Sequence, residues 1–150
     1  VLFRSDVPVH THVHETADEV DSSLKEHGMR PLARLRTLGL LSPGFIAVHG
    51  IHLTQDEIAL LALHGCHVAH CPTSNLKLAS GLAPVQALLD AGVNVGLGTD
   101  SAASNNRLDM LAELRLAALL VVSDSRCSRL RGGTSCWGPR ARAAMRLLDR

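Results

Sequence analysis

The chain has 150 residues, of which 46% are hydrophobic and 19% charged, and its 15 basic and 14 acidic residues nearly cancel. This composition excludes an intrinsically disordered chain and suits one globular domain with a buried core. A net charge of +1 and 2% aromatic residues give no case for nucleic-acid binding, and no apolar run approaches the roughly 20 residues of a bilayer span. We therefore expect no nucleic-acid or membrane partner. Because the first residues do not read as a secretory signal and four cysteines are too few for a disulfide framework, we expect a reducing, cytoplasmic location.

Charge divides the chain into segments. Residues 1–122 carry eight basic and twelve acidic side chains, whereas residues 123–150 carry seven arginines and two aspartates. We interpret residues 6–122 as the domain. Residues 1–5 read as a foreign leader, because they resemble the translation of a sequencing adapter. The tail, residues 123–150, is either a basic RNA-seeking extension or, as we prefer, an out-of-frame stretch that does not belong to the domain.

Strand and helix patterns alternate along residues 6–122. Residues 7–14 alternate with the period of a strand, and the capping-box spacing at Thr16 opens a helix that ends at Gly28. Pro31 then begins a second helix. The remaining predictions, in chain order, are a strand at residues 45–48, a helix opened by Thr54 and ended by Gly65, a strand at residues 66–71, a helix started by Pro84 and ended by Gly92, a strand at residues 93–97, and a last helix marked by Leu108, Leu111, Ala112 and Leu116.

This order is typical of parallel β/α units joined by right-handed crossovers, so the predicted fold class is α/β. Two architectures use such units: the open doubly wound sheet and the closed (β/α)₈ barrel. A closed barrel needs about 250 residues, so four units would be half of one. An open four-stranded sheet would fit the length with nothing missing.

Polar side chains collect where the predicted strands run into loops. In both architectures, catalytic and ligand-binding side chains lie at the carboxyl ends of the parallel strands. A single histidine at such a place is more often a satisfied structural residue, but four strand ends in register are hard to attribute to chance. Imidazole and carboxylate together suit Zn²⁺. The candidate residues are His12, His14 and Glu15 at the first strand, His49 at the second, His70 at the third and Asp100 at the fourth.

Two other constellations are weaker. The histidines and cysteines of residues 64–71 have the composition of a zinc knuckle. Strand alternation, however, puts Cys66 and Cys71 on opposite faces, so we expect no structural zinc there. Ser74 and Ser104 have no base at a fixed sequence spacing, so the sequence does not support a serine nucleophile.

Four segments together carry a resemblance to a known family. They are residues 10–16 (HTHVHET), 47–49 (AVH), 70–81 (HCPTSNLKLASG) and 97–106 (LGTDSAASNN). They resemble the metal-dependent amidohydrolase superfamily and, more narrowly, its 5′-methylthioadenosine/S-adenosylhomocysteine deaminases, close to the triazine hydrolases. The resemblance covers about residues 7–120. It implies a (β/α)₈ TIM barrel of which this chain holds the fifth to eighth units.

The resemblance also implies roles for individual residues. His12 matches the family's third metal-binding histidine, and Asp100 matches the aspartate that ligates the metal and takes the proton of the attacking water. Glu15 matches the carboxylate that binds the purine ring and protonates it. His49 matches the histidine beside the metal-bound water. Glu15, His49 and Asp100 are thus the implied catalytic and substrate-binding residues, and the implied cofactor is one divalent ion, zinc with iron as the alternative.

The implied reaction is hydrolytic deamination of an adenosine-type nucleoside to its inosine analogue and ammonia. Two departures bear on this. Ser101 stands where the family has glycine, and the family's first-strand His-x-His pair is absent, since His10 and His12 lie in the fifth-strand context. We therefore expect the chain itself to be an inactive, truncated piece. The alternatives are a triazine chlorohydrolase or guanine deaminase type of activity, or a non-catalytic structural βα fragment. A homo-oligomer remains open.

Overall fold

The computed structural model describes residues 7–124, so the predicted leader and residues 125–150 of the predicted tail lie outside the described residues. Within them, strands and helices alternate as expected. The elements in chain order are β1 (Val9–Val13), α1 (Ala17–His27), α2 (Pro31–Thr37), β2 (Phe45–His49), α3 (Gln55–Leu63), β3 (His67–His70), α4 (Pro72–Lys77), α5 (Val85–Asp90), β4 (Asn94–Leu97) and α6 (Met110–Asp124). None of the helices in this part of the chain combines the length and the hydropathy of a membrane span.

The four strands form one parallel sheet in the order β1-β2-β3-β4. Each strand pairs with the next strand along the chain, with Val13 opposite His49 and His70 opposite Leu97. A doubly wound sheet reverses its direction at a switch point, and the described sheet has no reversal. Of the two architectures that the sequence leaves open, this winding is that of the (β/α)₈ barrel.

The core lies between one face of the sheet and the helices. Alternate strand residues are buried against helix residues, while the other face exposes His10, His12 and Gly96. This burial explains why the strands are short and rich in valine and alanine. The buried side chains include Val13, Phe45, Ala47, Val68 and Val95 from the strands and Leu32, Ile58, Leu61 and Leu88 from the helices.

Helix α4 is the element that the sequence does not predict. It starts directly after β3, with Pro72 in its first turn, and its buried residues are Pro72, Ser74 and Asn75. A helix of six residues that buries polar side chains shows no apolar periodicity, which is the signal that identifies the other helices. The proline at its start is the one local indication of its position.

A buried polar network ties the loops after β1 and β2 together. Arg30 donates to both carboxylate oxygens of Glu57, at 2.8 and 3.0 Å, and to the backbone carbonyl of His52, at 2.6 Å. His14, which is fully buried, places Nε2 3.2 Å from Glu57 Oε1. Burial raises the pKa of Glu57, but hydrogen bonds from His14, Arg30 and the Thr54 backbone outweigh it, so this pKa lies below its ordinary value.

We expect Glu57→Gln to lower the free energy of unfolding at pH 7 by about 3 kcal/mol, because Arg30 loses its charged partner. The folded carboxyl has the lower pKa, so its contribution is present above the unfolded pKa of about 4.3 and is lost as the pH falls below it. Urea unfolding from pH 7 to pH 3 should therefore show the difference from wild type shrinking in acid. Glu26→Gln, at a side chain that is 70% exposed, is the control and should change stability little. Equal losses in both variants would contradict this account.

Candidate metal centre

Three residues at the carboxyl ends of strands bring metal-binding atoms together. His12 lies on β1, His49 ends β2, and Asp100 follows β4; one ligand atom of each lies within 4.8 Å of the others. His12 Nε2 is 4.0 Å from Asp100 Oδ1, and His49 Nε2 is 3.9 Å from Asp100 Oδ2. The rings of His12 and His49 meet edge to face with centroids 4.7 Å apart. These separations are too long for direct hydrogen bonds and suit groups that share an ion or a water.

The backbone turns sharply at these strand ends. His49 and Asp100 have φ values of +71° and +59°, and Gly50 follows His49 at +57°. A left-handed conformation costs a residue with a Cβ on the order of 1 kcal/mol. Strained residues of this kind concentrate at functional sites, where the surrounding structure holds them in place.

Asn75 fixes the tautomer of His49. Its side-chain oxygen lies 2.8 Å from His49 Nδ1, and because that oxygen only accepts, Nδ1 carries the proton and Nε2 presents a lone pair. This Nε2 is buried and has no hydrogen-bond partner among the described residues. It lies 3.6 Å from Glu15 Oε2 and faces Asp100. Since a buried lone pair normally has a partner, this site fits a metal ion or the water that such an ion binds.

Two serine hydroxyls hold Asp100. Ser74 and Ser104 donate to Asp100 Oδ2 at 2.6 and 2.8 Å, which leaves Oδ1 as the oxygen nearest His12. Burial raises the pKa of Asp100, but these hydrogen bonds outweigh it and the pKa lies below its ordinary value. The carboxylate is therefore ionised at neutral pH and oriented, as a metal ligand requires.

Glu15 joins the same group from the loop after β1. Its Oε2 lies 3.9 Å from His12 Nδ1 as well as 3.6 Å from His49 Nε2. Glu19 fixes this loop, because its carboxylate accepts the backbone N–H groups of His14 and Glu15 at 2.9 and 2.8 Å. The capping-box spacing at Thr16 is thus used differently from expectation: Thr16 caps α1, while Glu19 holds the loop that carries Glu15.

Two of the predicted strand-end candidates lie elsewhere. His14 belongs to the network with Arg30 and Glu57. His70 is buried at the end of β3 and is not part of the group of His12, His49 and Asp100 whose ligand atoms lie within 4.8 Å of one another. The expectation that four strand ends converge was therefore wrong for the third strand. Within residues 64–71, where we expect no structural zinc, the ring nitrogens of His67 contact the Pro43 carbonyl and the Asn94 side chain.

Sequence reasoning missed the residues that orient the site. It weighed Ser74 and Ser104 only as nucleophiles, whereas both donate to Asp100, and it gave Asn75 no role. Periodicity carries no signal for such residues, since they are polar and lie in a short helix and a loop. The one available signal was that all three fall inside the two longest motifs of the resemblance.

A parallel β/α sheet with a His/Asp group at the carboxyl ends of its strands defines the chain as part of a TIM-barrel fold with a possible metal site. The amidohydrolase family model matches residues 1–130, and the chain belongs to the amidohydrolase family. The chain is 57% identical over 118 residues to the 5-methylthioadenosine/S-adenosylhomocysteine deaminase of Haloarcula marismortui, covering 79% of this chain and 27% of that protein. It is 50% identical to the 5′-deoxyadenosine deaminase of Methanothrix thermoacetophila, covering 80% of this chain and 29% of that protein.

Solved structures show the same relationship. An adenosine deaminase from Xanthomonas campestris with bound zinc is 55% identical and superposes with a TM-score of 0.78, covering 80% of this chain and 27% of that one. The zinc complex of the atrazine chlorohydrolase TrzN from Arthrobacter aurescens TC1 is 32% identical with a TM-score of 0.79, covering 95% and 30%. The predicted fold, a partial (β/α)₈ barrel, and the predicted family are therefore confirmed. The chain spans somewhat over a quarter of the length of these relatives.

His70 generates a test of stability against pH. Burial, reinforced by His49, lowers the pKa of His70 to about 4, and its ring nitrogens have no partner among the described residues. In the unfolded chain the His70 ring binds a proton near pH 6.5, whereas in the folded chain it does so only near pH 4. The free energy of unfolding is therefore highest above pH 6.5 and falls by on the order of 3 kcal/mol as the pH drops to 4.

We expect His70→Leu to flatten the stability curve between pH 6.5 and 4, because leucine keeps the site apolar and does not titrate. Urea unfolding at half-unit pH intervals measures this. His27→Gln, at a partly exposed position on α1, should leave the curve unchanged. An unaltered slope in His70→Leu would show that His70 is not the group responsible.

Proposed function

We propose that this chain is the carboxyl-terminal half of the barrel of a metal-dependent deaminase acting on adenosine-type nucleosides, such as 5′-methylthioadenosine or S-adenosylhomocysteine. The observation that carries the proposal is the buried, unpartnered Nε2 of His49, which faces Glu15 and Asp100 beside His12. Relatives at 50–58% identity that bear deaminase names support the substrate class.

His12 and Asp100 are the residues of this half that would hold the metal. They supply one imidazole nitrogen and one carboxylate oxygen, the donors that zinc accepts, with iron as the alternative. When bound, the ion would supply Lewis-acid activation of water. Two protein ligands are fewer than a catalytic zinc site uses, so we propose that the isolated chain is inactive and holds metal poorly.

The remaining chemistry is assigned to three side chains. His49 Nε2 accepts a hydrogen bond from the attacking water, because Asn75 keeps the ring in the tautomer with a free Nε2. Asp100, ionised and held by two serines, takes the proton that the water loses. Glu15 protonates the purine ring nitrogen next to the carbon under attack. Water adds at the amino-bearing carbon, and the proton held by Asp100 passes to the amino nitrogen so that the C–N bond breaks and ammonia leaves. The new hydroxyl returns a proton to Glu15 as the ring C=O forms.

Triazine hydrolysis is the second candidate. The likeness to the atrazine chlorohydrolase covers 95% of this chain, more than the 80% covered by the adenosine deaminase structure. Sequence identity favours deamination, at 55% against 32%. Ser101, exposed beside Asp100, stands where the deaminase resemblance has glycine, so the loop on the substrate side departs from that pattern.

The first measurement is elemental analysis of the purified chain after dialysis. We expect less than about a tenth of an equivalent of zinc or iron, because only half of the ligand set is present. One full equivalent would contradict the proposal that the chain alone is incomplete. It would direct the nucleoside deamination assay to the chain itself.

The residue roles are tested in a completed barrel, in which residues 7–122 replace the matching segment of the Xanthomonas campestris adenosine deaminase. We expect His12→Ala and Asp100→Ala to abolish stoichiometric metal. Glu15→Gln should keep the metal and lose turnover of 5′-methylthioadenosine by roughly 10²- to 10⁴-fold. His27→Ala, on α1 outside the site, is the matched control and should keep both.

Each outcome decides a separate part of the proposal. Full metal in Asp100→Ala would remove it from the ligand set, and normal turnover in Glu15→Gln would remove its role as proton donor. A chimera that hydrolyses atrazine but not 5′-methylthioadenosine would favour the triazine alternative. A folded, metal-loaded chimera with neither activity would favour the structural fragment.

A further inference from the structure

Glu113 is a buried carboxylate that the proposed reaction does not use. It lies on α6, is 1% exposed, and takes part in none of the ion pairs recorded for residues 7–120. Its two oxygens accept separate hydrogen bonds: Oε1 from Asn105 Nδ2 at 2.6 Å and Oε2 from the backbone N–H of Thr73 at 3.1 Å. Burying a carboxylate without a cation is costly, so its partners at both oxygens indicate a specific role.

The two partners of Glu113 are the chain neighbours of the two groups that hold Asp100. Thr73 directly precedes Ser74 on α4, and Asn105 directly follows Ser104 in the loop after β4. Ser74 and Ser104 both donate to Asp100 Oδ2. One carboxylate thus connects the two segments whose hydroxyl groups converge on one oxygen of Asp100.

We infer that Glu113 is a positioning residue for Asp100. By fixing α4 and the loop after β4 at one separation, it lets both serines reach Oδ2 at once and leaves Oδ1 toward His12. A carboxylate suits this task because it offers two acceptor oxygens at a fixed spacing. The value of that orientation for metal binding rests on the proposed function, but the positioning itself does not.

The test measures the Asp100 side chain in the metal-free 150-residue chain. The three-bond ¹⁵N–¹³Cγ coupling of Asp100 reports whether its χ1 occupies one rotamer or averages over the three staggered wells. We expect one rotamer in the wild type and an averaged coupling in Glu113→Gln. Both partners of Glu113 are N–H donors, so the NH₂ group of the glutamine would face a donor and one of the two hydrogen bonds would be lost. The double variant Ser74→Ala, Ser104→Ala gives the value for a released carboxylate.

A reciprocal exchange provides the rescue. In the double variant Glu113→Gln, Asn105→Asp, the amide oxygen introduced on α6 can accept from the Thr73 backbone N–H. The amide NH₂ beside it can donate to the carboxylate introduced in the loop after β4, so each of the two hydrogen bonds is kept. We expect the single-rotamer coupling of Asp100 to return.

Glu57→Gln is the matched control, since it alters the other buried carboxylate and lowers stability without touching the Asp100 contacts. Its Asp100 coupling should match the wild type. An unchanged Asp100 coupling in folded Glu113→Gln, or an equal change in Glu57→Gln, would overturn the inference. If Glu113→Gln does not fold, Asn105→Ala is used instead, because it removes the hydrogen bond from Asn105 to Glu113. An unchanged Asp100 coupling in that variant would likewise overturn the inference. Because the readout needs neither metal nor substrate, a failure of the proposed deamination would leave this result standing, and the reverse also holds.

Discussion

The candidate site depends on three consecutive residues in one turn of helix α4. The backbone of Thr73 binds Glu113 on α6, Ser74 binds Asp100 after β4, and Asn75 binds His49 at the end of β2. The bond between Asn75 and His49 is buried and the other two are partly buried. Leaving a buried partner unsatisfied costs about 1–3 kcal/mol. A shift of this turn would therefore break contacts to two strand ends and one helix together. The six-residue helix is held by its polar contacts rather than by an apolar face.

The loops after β1 and β2 are fixed by a second network. Arg30 joins Glu57 and the His52 carbonyl, while Glu19 holds the backbone that leads into Glu15. The site thus lies between two sets of polar contacts with no residue in common: those of Arg30, Glu57 and Glu19, and those of helix α4. The backbone of Glu15 is held by Glu19, while Asp100 and His49 are held by Ser74 and Asn75 of α4. This separation is the reason Glu57 can serve as a control for Glu113, although both are buried carboxylates.

The sequence predicts the parts of the structure that repeat. Apolar alternation and capping signals locate the four strands and the longer helices to within one or two residues, and the strand ends identify His12, Glu15, His49 and Asp100 as candidates. Sequence patterns fail to predict the elements and side chains whose positions are set by single polar contacts. His70 has the pattern of one more strand-end histidine, yet it lies outside the group of His12, His49 and Asp100. Helix α4, Asn75 and the two serines are set by hydrogen bonds between distant segments, which no local pattern encodes.

The charge of the site explains why it suits a cation. Among the described residues, the recorded ion pair that involves a lysine or arginine is the one between Arg30 and Glu57, in the network that fixes the loops after β1 and β2. Around α4, the carboxylates have hydroxyl and amide partners instead. The thiol of Cys71 lies at the start of that helix. Its pKa is raised to about 12, first by burial and then by the charges of Asp100, Glu113 and Glu15. Three carboxylates lie near one buried thiol, and in the described part of the chain Glu15 and Asp100 have histidines but no lysine or arginine within ion-pair distance. This arrangement favours a negative potential that a divalent ion would neutralise. Hydrogen bonds therefore orient the ligands in advance, and the excess of carboxylates over lysine and arginine at the site favours the ion that those ligands would bind.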